Sequence, residues 1–198
     1  MDSTNGITLH DAQLLSQEGL LKDSCIIIEQ SQQSAYQAVN ETLIKRNWLL
    51  GMRIQHEVLK EQRAEYGEQV IKKLAADLVK RYGRGFSKSN LYLFVSFYVS
   101  HPDFFQSLTG KPKVVIDENI FQSLTGKSPI RLSWTHYSIT LQVEDTEARS
   151  WYEHEADTEM WSTRTLQRNV SSQYYKRLLK SQNKSAVHDE MVALTKPL

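Results

Sequence analysis

LSWTHYSITLQVEDTEARSWYEHEADTEMWSTRTLQRNVSSQYYKRL, residues 132–178, changes the sign of its charge abruptly in the middle. Residues 144–160 carry seven acids and the single cation Arg149, whereas residues 161–184 carry six cations, Arg164, Arg168, Lys176, Arg177, Lys180 and Lys184, and no acid. Ser133, Asp145 and Ser162 stand where helices should begin, because a short oxygen-bearing side chain accepts from the free N–H groups of a first turn. The spacing predicts helices over residues 134–142, 146–158 and 163–179. Asp145 and Glu147 fall in the first turn of the middle helix, where the helix dipole favours acids. An acid-free helix opened by a Ser/Thr cap suits a surface that approaches a polyanion, so nucleic acid is the first partner to consider.

The chain upstream is also helical in pattern. Its 198 residues contain only eight Gly and four Pro, so long stretches run without breakers. Residues 34–60 place Tyr36, Val39, Leu43, Leu50, Ile54 and Val58 near one face at spacings of three, four and seven. Gly51 inside this helix costs about 1 kcal/mol relative to Ala, which is tolerable where another helix crosses closely. Residues 66–82 have the cleanest periodicity, with Val70, Ile71, Leu74, Ala75, Leu78 and Val79 in one stripe and Lys72, Lys73, Lys80 and Arg81 off it. Gly83-Arg84-Gly85-Phe86 follows, and Ser87 is suited to cap the next helix. Residues 91–99, LYLFVSFYV, have strand propensity, but the cap before them and His101-Pro102 after them indicate helix. Helix, glycine turn and capped helix form a helix-turn-helix layout, and residues 132–179 form a second.

Residues 1–34 read as a polar extension with a short helix near 10–21, residues 35–182 as the main domain, and residues 183–198 as a tail or linker. An identical heptapeptide, FQSLTGK, occurs at 105–111 and 121–127. Two copies are too few for a solenoid. Residues 113–116 and 130–132 are the candidate strands of a short hairpin or wing near 113–132, with a surface loop as the favoured reading. The expected fold class is all-α.

Composition excludes several roles. The longest uninterrupted apolar run is about five residues, far short of the roughly 20 that span a bilayer, and the N-terminus lacks a secretory pattern. Cys25 is the only cysteine, which removes intrachain disulfides and cysteine-based zinc clusters and fits a cytoplasmic protein. Heading the run Cys-Ile-Ile-Ile, Cys25 reads as a small buried hydrophobe. His154 between Glu153 and Glu155 is a poor ligand set, because adjacent helical residues do not face one point. His136 reads as a packed or capping residue. No metal, cofactor or catalytic constellation is expected.

The chemistry that remains is phosphate recognition. Arg164 and Arg168 lie one turn apart, with Ser162 and Thr163 at the helix start, so they could hold phosphates or reach base edges. The alternative is that Glu155 and Glu159 neutralise them. Arg84, Lys88, Ser89 and Asn90 open the second helix of the first unit. Lys72, Lys73, Lys80 and Arg81, with Lys176 and Arg177, are secondary phosphate candidates.

Several motifs together resemble a known family. Val39-Asn40-Glu41, WLLGMRI at 48–54, Gly85-Phe86-Ser87 with Asn90-Leu91, Phe97-Tyr98, Leu132-Ser-Trp-Thr-His136-Tyr137, and Trp161-Ser162 with Arg164 and Leu166 resemble the N-terminal domain of the YhcG-type nucleases. The resemblance covers residues 35–182. It implies a helical, DNA-binding domain followed by a C-terminal nuclease domain of the PD-(D/E)xK class, whose catalytic residues have no counterpart here. The FQSLTGK repeat departs from the pattern as an expanded connector. Residues 132–168 are also similar to the helix-turn-helix region of ParB-like proteins. The expectation is a non-catalytic module that targets duplex DNA and acts with a nuclease domain. The alternative is a protein-interaction or homo-oligomerisation module that joins partners through residues 34–60.

Overall fold

The computed structural model describes residues 9–61, 64–105 and 130–195. Among them every regular element is helical, giving the all-α class expected from the patterning. The helices are α1 (Leu9–Glu61), α2 (Ala64–Tyr82), a 3-10 turn (Arg84–Phe86), α3 (Lys88–Ser100), α4 (Trp134–Thr140), α5 (Thr146–Thr158), α6 (Thr163–Ser171), α7 (Tyr174–Lys180) and α8 (Lys184–Thr195). The candidate strand 113–116 and nearly all of the heptapeptide repeat lie outside the described residues. No strand forms at 130–132; Leu132 is buried and its carbonyl accepts from Asn40 Nδ2 at 3.1 Å.

The chain divides into two compact units, Met1–Val39 and Asn40–Leu198. In the first, α1 begins far upstream of residue 34. The Ser- and Gln-rich composition suggested an extension, but no proline interrupts it, and the Ser24 and Ser31 hydroxyls donate to the Leu20 and Ile27 carbonyls one turn back. Cys25 is exposed, contrary to the expectation of burial, and so are Tyr36 and Val39, expected on a packed face. Helical periodicity identifies a face without saying whether anything covers it.

In the second unit the packed stripe of α1 starts at Ile44 and continues through Asn47, Trp48, Gly51, Met52 and Ile54. These positions belong to the core, while residues 34–39, in the same stretch expected to join partners, are exposed. Gly51 is the close crossing inferred from its sequence position: a Cβ built there would lie 1.9 Å from the Phe94 carbonyl oxygen. Trp48 packs edge-to-face on Tyr98 and Phe105, and its indole Nε1 donates to the His101 carbonyl at 2.9 Å. Residues 91–99 are helical despite their strand propensity, because Leu91, Phe94 and Phe97 recur at helical spacing and all three are fully buried. Ile54, Ile71, Ala75, Leu91 and Phe94 form one apolar cluster, the remaining core forms another, and Trp134 packs against both.

The caps expected at Ser87, Asp145 and Ser162 form. Ser87 Oγ accepts from the Asn90 N–H, Asp145 from the Glu147 and Ala148 N–H groups, and Ser162 from the Thr165 N–H. The helix expected over 163–179 is broken. Gln173 adopts a left-handed conformation (φ 52°) between α6 and α7. The break allows Tyr174 to be buried and the Tyr175 N–H to reach the Tyr152 hydroxyl at 3.1 Å. Residues 184–195, read as tail, form α8. Met191 enters the core, the Tyr174 hydroxyl meets His188 Nδ1 at 3.2 Å, and Arg177 pairs with Glu190.

Candidate nucleic-acid interface

The first basic surface is built on α2, the 3-10 turn and α3. Gly83 leaves α2 at φ 90°, a backbone conformation that costs a glycine nothing, and its N–H closes on the Val79 carbonyl at 2.9 Å. Lys72, Lys73, Lys80, Arg81, Arg84 and Ser89 are exposed. Two of the expected contacts are engaged locally. Lys88 Nζ binds Glu68 at 2.7 Å and lies 5.8 Å from the Tyr92 ring centre. The hydrogen bond to Glu68 raises the ammonium pKa, and the same bond lowers that of the Glu68 carboxyl. Asn90 Nδ2 donates to the Gly85 carbonyl at 2.9 Å, so this amide holds the turn.

Arg46, which the sequence pattern did not single out, stands beside this turn. Its guanidinium lies 5.0 Å from the Phe86 ring centre and donates to Asn47 Oδ1 through Nε and Nη2. Burial lowers its pKa. Nothing in the local sequence distinguishes Arg46 from a surface cation; only the fold brings Phe86 to it.

The second surface is α6. Arg164, Gln167, Arg168 and Ser171, at spacings of three and four, are all exposed, while Leu166 and Asn169 are buried on the opposite side. This is an acid-free polar face, with Ser162 exposed and Thr163 half-buried at its start. Gln167 was missed in the sequence reading, although its position between the two arginines is a signal that periodicity could have supplied. The turn from α5 passes through Met160 in a left-handed conformation (φ 49°).

The neighbouring acids do not neutralise these arginines. Among the described residues no ion pair joins Arg164 or Arg168 to Glu155 or Glu159. Glu153 instead accepts from Thr140 Oγ1 at 2.7 Å and meets His101 Nε2 at 2.9 Å. Arg168 has a structural partner of its own, because its Nη1 donates to the Leu194 carbonyl in the last turn of α8. Arg177 is engaged by Glu190, while Lys176 is exposed. Arg149, the lone cation of the acidic stretch, donates to the Val143 carbonyl and to Ser100 Oγ.

His136 acts as a cap. Its Nδ1 accepts from the Ser133 backbone N–H at 3.1 Å, and its Nε2 faces the Trp161 carbonyl at 2.9 Å. Trp134, Tyr137, Trp151, Tyr152 and Trp161 are packed within the core or against it, as expected from helical spacing. Among the described residues no grouping of three or more His, Cys, Asp or Glu side chains could hold a metal ion, and no helix is long and apolar enough to cross a membrane.

These features define an all-helical domain with two exposed basic surfaces, one around the α2–α3 turn and one on α6, and no metal-holding group of His, Cys, Asp or Glu among the described residues. The chain belongs to the DUF1016 N-terminal domain family, whose model matches residues 25–177. It is 34% identical over 173 residues to a protein of Escherichia coli (strain K12) described as "Putative nuclease YhcG". The match covers 81% of this chain and 46% of that protein, so the chain spans under half of its relative's length. No solved structure matches the chain.

Proposed function

We propose that this chain is a duplex-DNA-binding module that directs a nuclease domain carried elsewhere in a longer protein, and that it performs no catalysis itself. The observation that carries the reading is the face of α6: Arg164, Gln167, Arg168 and Ser171 exposed together, acid-free and behind a Ser162 cap. In this reading α5, the left-handed turn at Met160 and α6 make a helix-turn-helix. Arg164 and Gln167 reach base edges, and Ser162, Thr163 and Arg168 meet phosphates. The α2–α3 pair supplies a second contact through Arg84, Lys88 and Ser89, supported by Lys72, Lys73, Lys80 and Arg81. Phosphate contacts of this kind make affinity fall steeply with salt. The relative's description as a nuclease supports a nucleic-acid partner.

Titration of the chain onto fluorescently labelled duplex DNA, followed by anisotropy at low and moderate salt, tests the reading. Saturable binding that weakens with salt, and weakens further in Arg164→Ala, is expected. Absence of binding at low salt would overturn it.

A further inference from the structure

A cavity of about 240 Å³ lies between the end of α3, the segment that leads into α4, and α5. None of its side chains belongs to the two basic surfaces. Phe104, Ile130 and Leu132 give it an apolar wall, and the rings of His101 and Tyr137 also border it.

Its acids differ in what they meet. Glu153 is engaged by the protein at both oxygens: Oε1 accepts from Thr140 Oγ1 at 2.7 Å, and Oε2 meets His101 Nε2 at 2.9 Å. His101 Nδ1 faces the Phe97 carbonyl at 3.2 Å. A carbonyl and a carboxylate only accept, so His101 satisfies both by carrying a proton on each nitrogen, and the resulting imidazolium offsets the Glu153 charge. Asp157, one turn further along α5, has no such relationship. It is half-buried and makes no hydrogen bond or ion pair among the described residues. The cavity therefore holds an uncompensated negative charge beside an apolar wall.

Tyr137 supplies a second, independent sign of a ligand. It is only 7% exposed, and its hydroxyl has no hydrogen bond among the described residues, whereas a phenol buried this deeply normally finds a partner. The hydroxyl is not sealed in the core: the side-chain polar atoms that are both fully enclosed and unpartnered among the described residues are Asn47 Nδ2 and Asn169 Nδ2. Since Tyr137 lines the cavity, its oxygen opens onto it. Burial raises the phenol pKa, and the nearby Glu153 and Asp157 carboxylates raise it further, so the oxygen stays protonated and neutral.

We propose that this cavity binds an alkylammonium group, which donates to the Asp157 carboxylate and the Tyr137 hydroxyl oxygen while its carbon stem lies along Phe104, Ile130 and Leu132. The described residues include no grouping able to hold a metal ion, whereas an ammonium has three donors and needs only convergent acceptors beside an apolar or aromatic wall. Arg131 also lines the cavity but is exposed, and among the described residues it forms no ion pair with Asp157. The inference is independent of DNA binding, because none of the cations assigned to phosphate takes part.

Amide-detected NMR of the full chain, titrated at neutral pH with n-butylamine, tests it. Saturable shifts confined to the amides around Leu132, Tyr137, Glu153 and Asp157 are expected, with a Kd of about 1 mM, as suits so small a ligand. Asp157→Asn should weaken binding by about tenfold or more, and Tyr137→Phe by about threefold to tenfold. Arg131→Ala should not weaken it, because a guanidinium repels an ammonium. n-Butanol, which has the same stem without the charge, should bind about tenfold more weakly or worse. Nα-acetyl-lysine amide separates the two sources of the group: tighter binding than n-butylamine assigns a lysine side chain of a partner protein, and weaker binding assigns a free amine. Unchanged amide spectra away from the cavity show that the variants remain folded. Absence of saturable shifts, equal binding of n-butanol, unchanged affinity in Asp157→Asn or loss of binding in Arg131→Ala would each overturn the proposal.

Discussion

His136 joins two helix starts: Nδ1 accepts from the Ser133 N–H at the head of α4, and Nε2 reaches the Trp161 carbonyl just before the Ser162 cap of α6. A backbone N–H can only donate, so Nδ1 is the acceptor and Nε2 carries the proton. His136→Ala removes both bonds and leaves a part-buried N–H and carbonyl unpaired, which costs about 1–3 kcal/mol. A lowered urea midpoint with an unchanged slope checks this. DNA binding through α6 should weaken in the same variant at temperatures where it remains folded.

Arg164 and Arg168 should separate cleanly. Arg164 has no partner among the described contacts, so Arg164→Ala lowers DNA affinity without changing the melting temperature. Arg168 also holds the last turn of α8 through the Leu194 carbonyl, so Arg168→Ala should additionally cost about 0.5–1.5 kcal/mol of stability. Thermal melts beside anisotropy titrations distinguish the two effects.

Glu68 restrains Lys88 at 2.7 Å. Glu68→Gln removes the negative charge and frees the ammonium to meet a phosphate. DNA affinity should rise, and the slope of log K against log salt should steepen by about 0.9, the value for one additional phosphate contact. An unchanged slope would place Lys88 away from the DNA.

Gly51→Ala places a Cβ against the Phe94 carbonyl, which cannot move without displacing α3. The expected loss is about 1–3 kcal/mol or more, as for overpacking of a rigid contact, read as a lower denaturation midpoint. Gly19→Ala, with open space around the position, should instead be neutral or slightly stabilising.

The Tyr137 phenol is pushed well above its ordinary value by burial, with Glu153 and Asp157 adding to the effect. Its folded pKa therefore lies above the unfolded value of about 10. Below that pH both states keep the proton. Above it the unfolded chain ionises first, so stability falls as pH rises towards the folded value. Tyr152 and Tyr174 are raised in the same direction, each chiefly by burial. Tyr137→Phe should reduce the alkaline loss of stability without abolishing it, as measured by denaturant melts between pH 9 and about 11.

The sequence by itself determined what depends on neighbours a turn or so away. Ser87, Asp145 and Ser162 cap helices because each accepts from an N–H two or three residues on, a relationship spacing alone discloses. The all-α class and the helical assignment of 91–99 followed from the same local logic. Gly51 was legible because a glycine inside a long apolar helix has few uses other than close approach.

Tertiary structure decided which of these surfaces are free. Periodicity put Tyr36 and Val39 on the packed face and the Cys-Ile-Ile-Ile run put Cys25 among buried neighbours, yet all three are exposed, and the packed stripe of α1 begins only at Ile44. Asn90, Lys88 and Arg168 had the composition of a phosphate site, but each finds a partner 5, 20 or 26 residues away. Arg46 gained its aromatic neighbour only when Phe86 was brought against α1. The break at Gln173 was also unreadable, because α6 and α7 are both good local helices; the burial of Tyr174 and the bond from the Tyr175 N–H to Tyr152 separate them. A cap is set by the chain around it, whereas a charge is free or engaged according to what folding brings beside it from elsewhere.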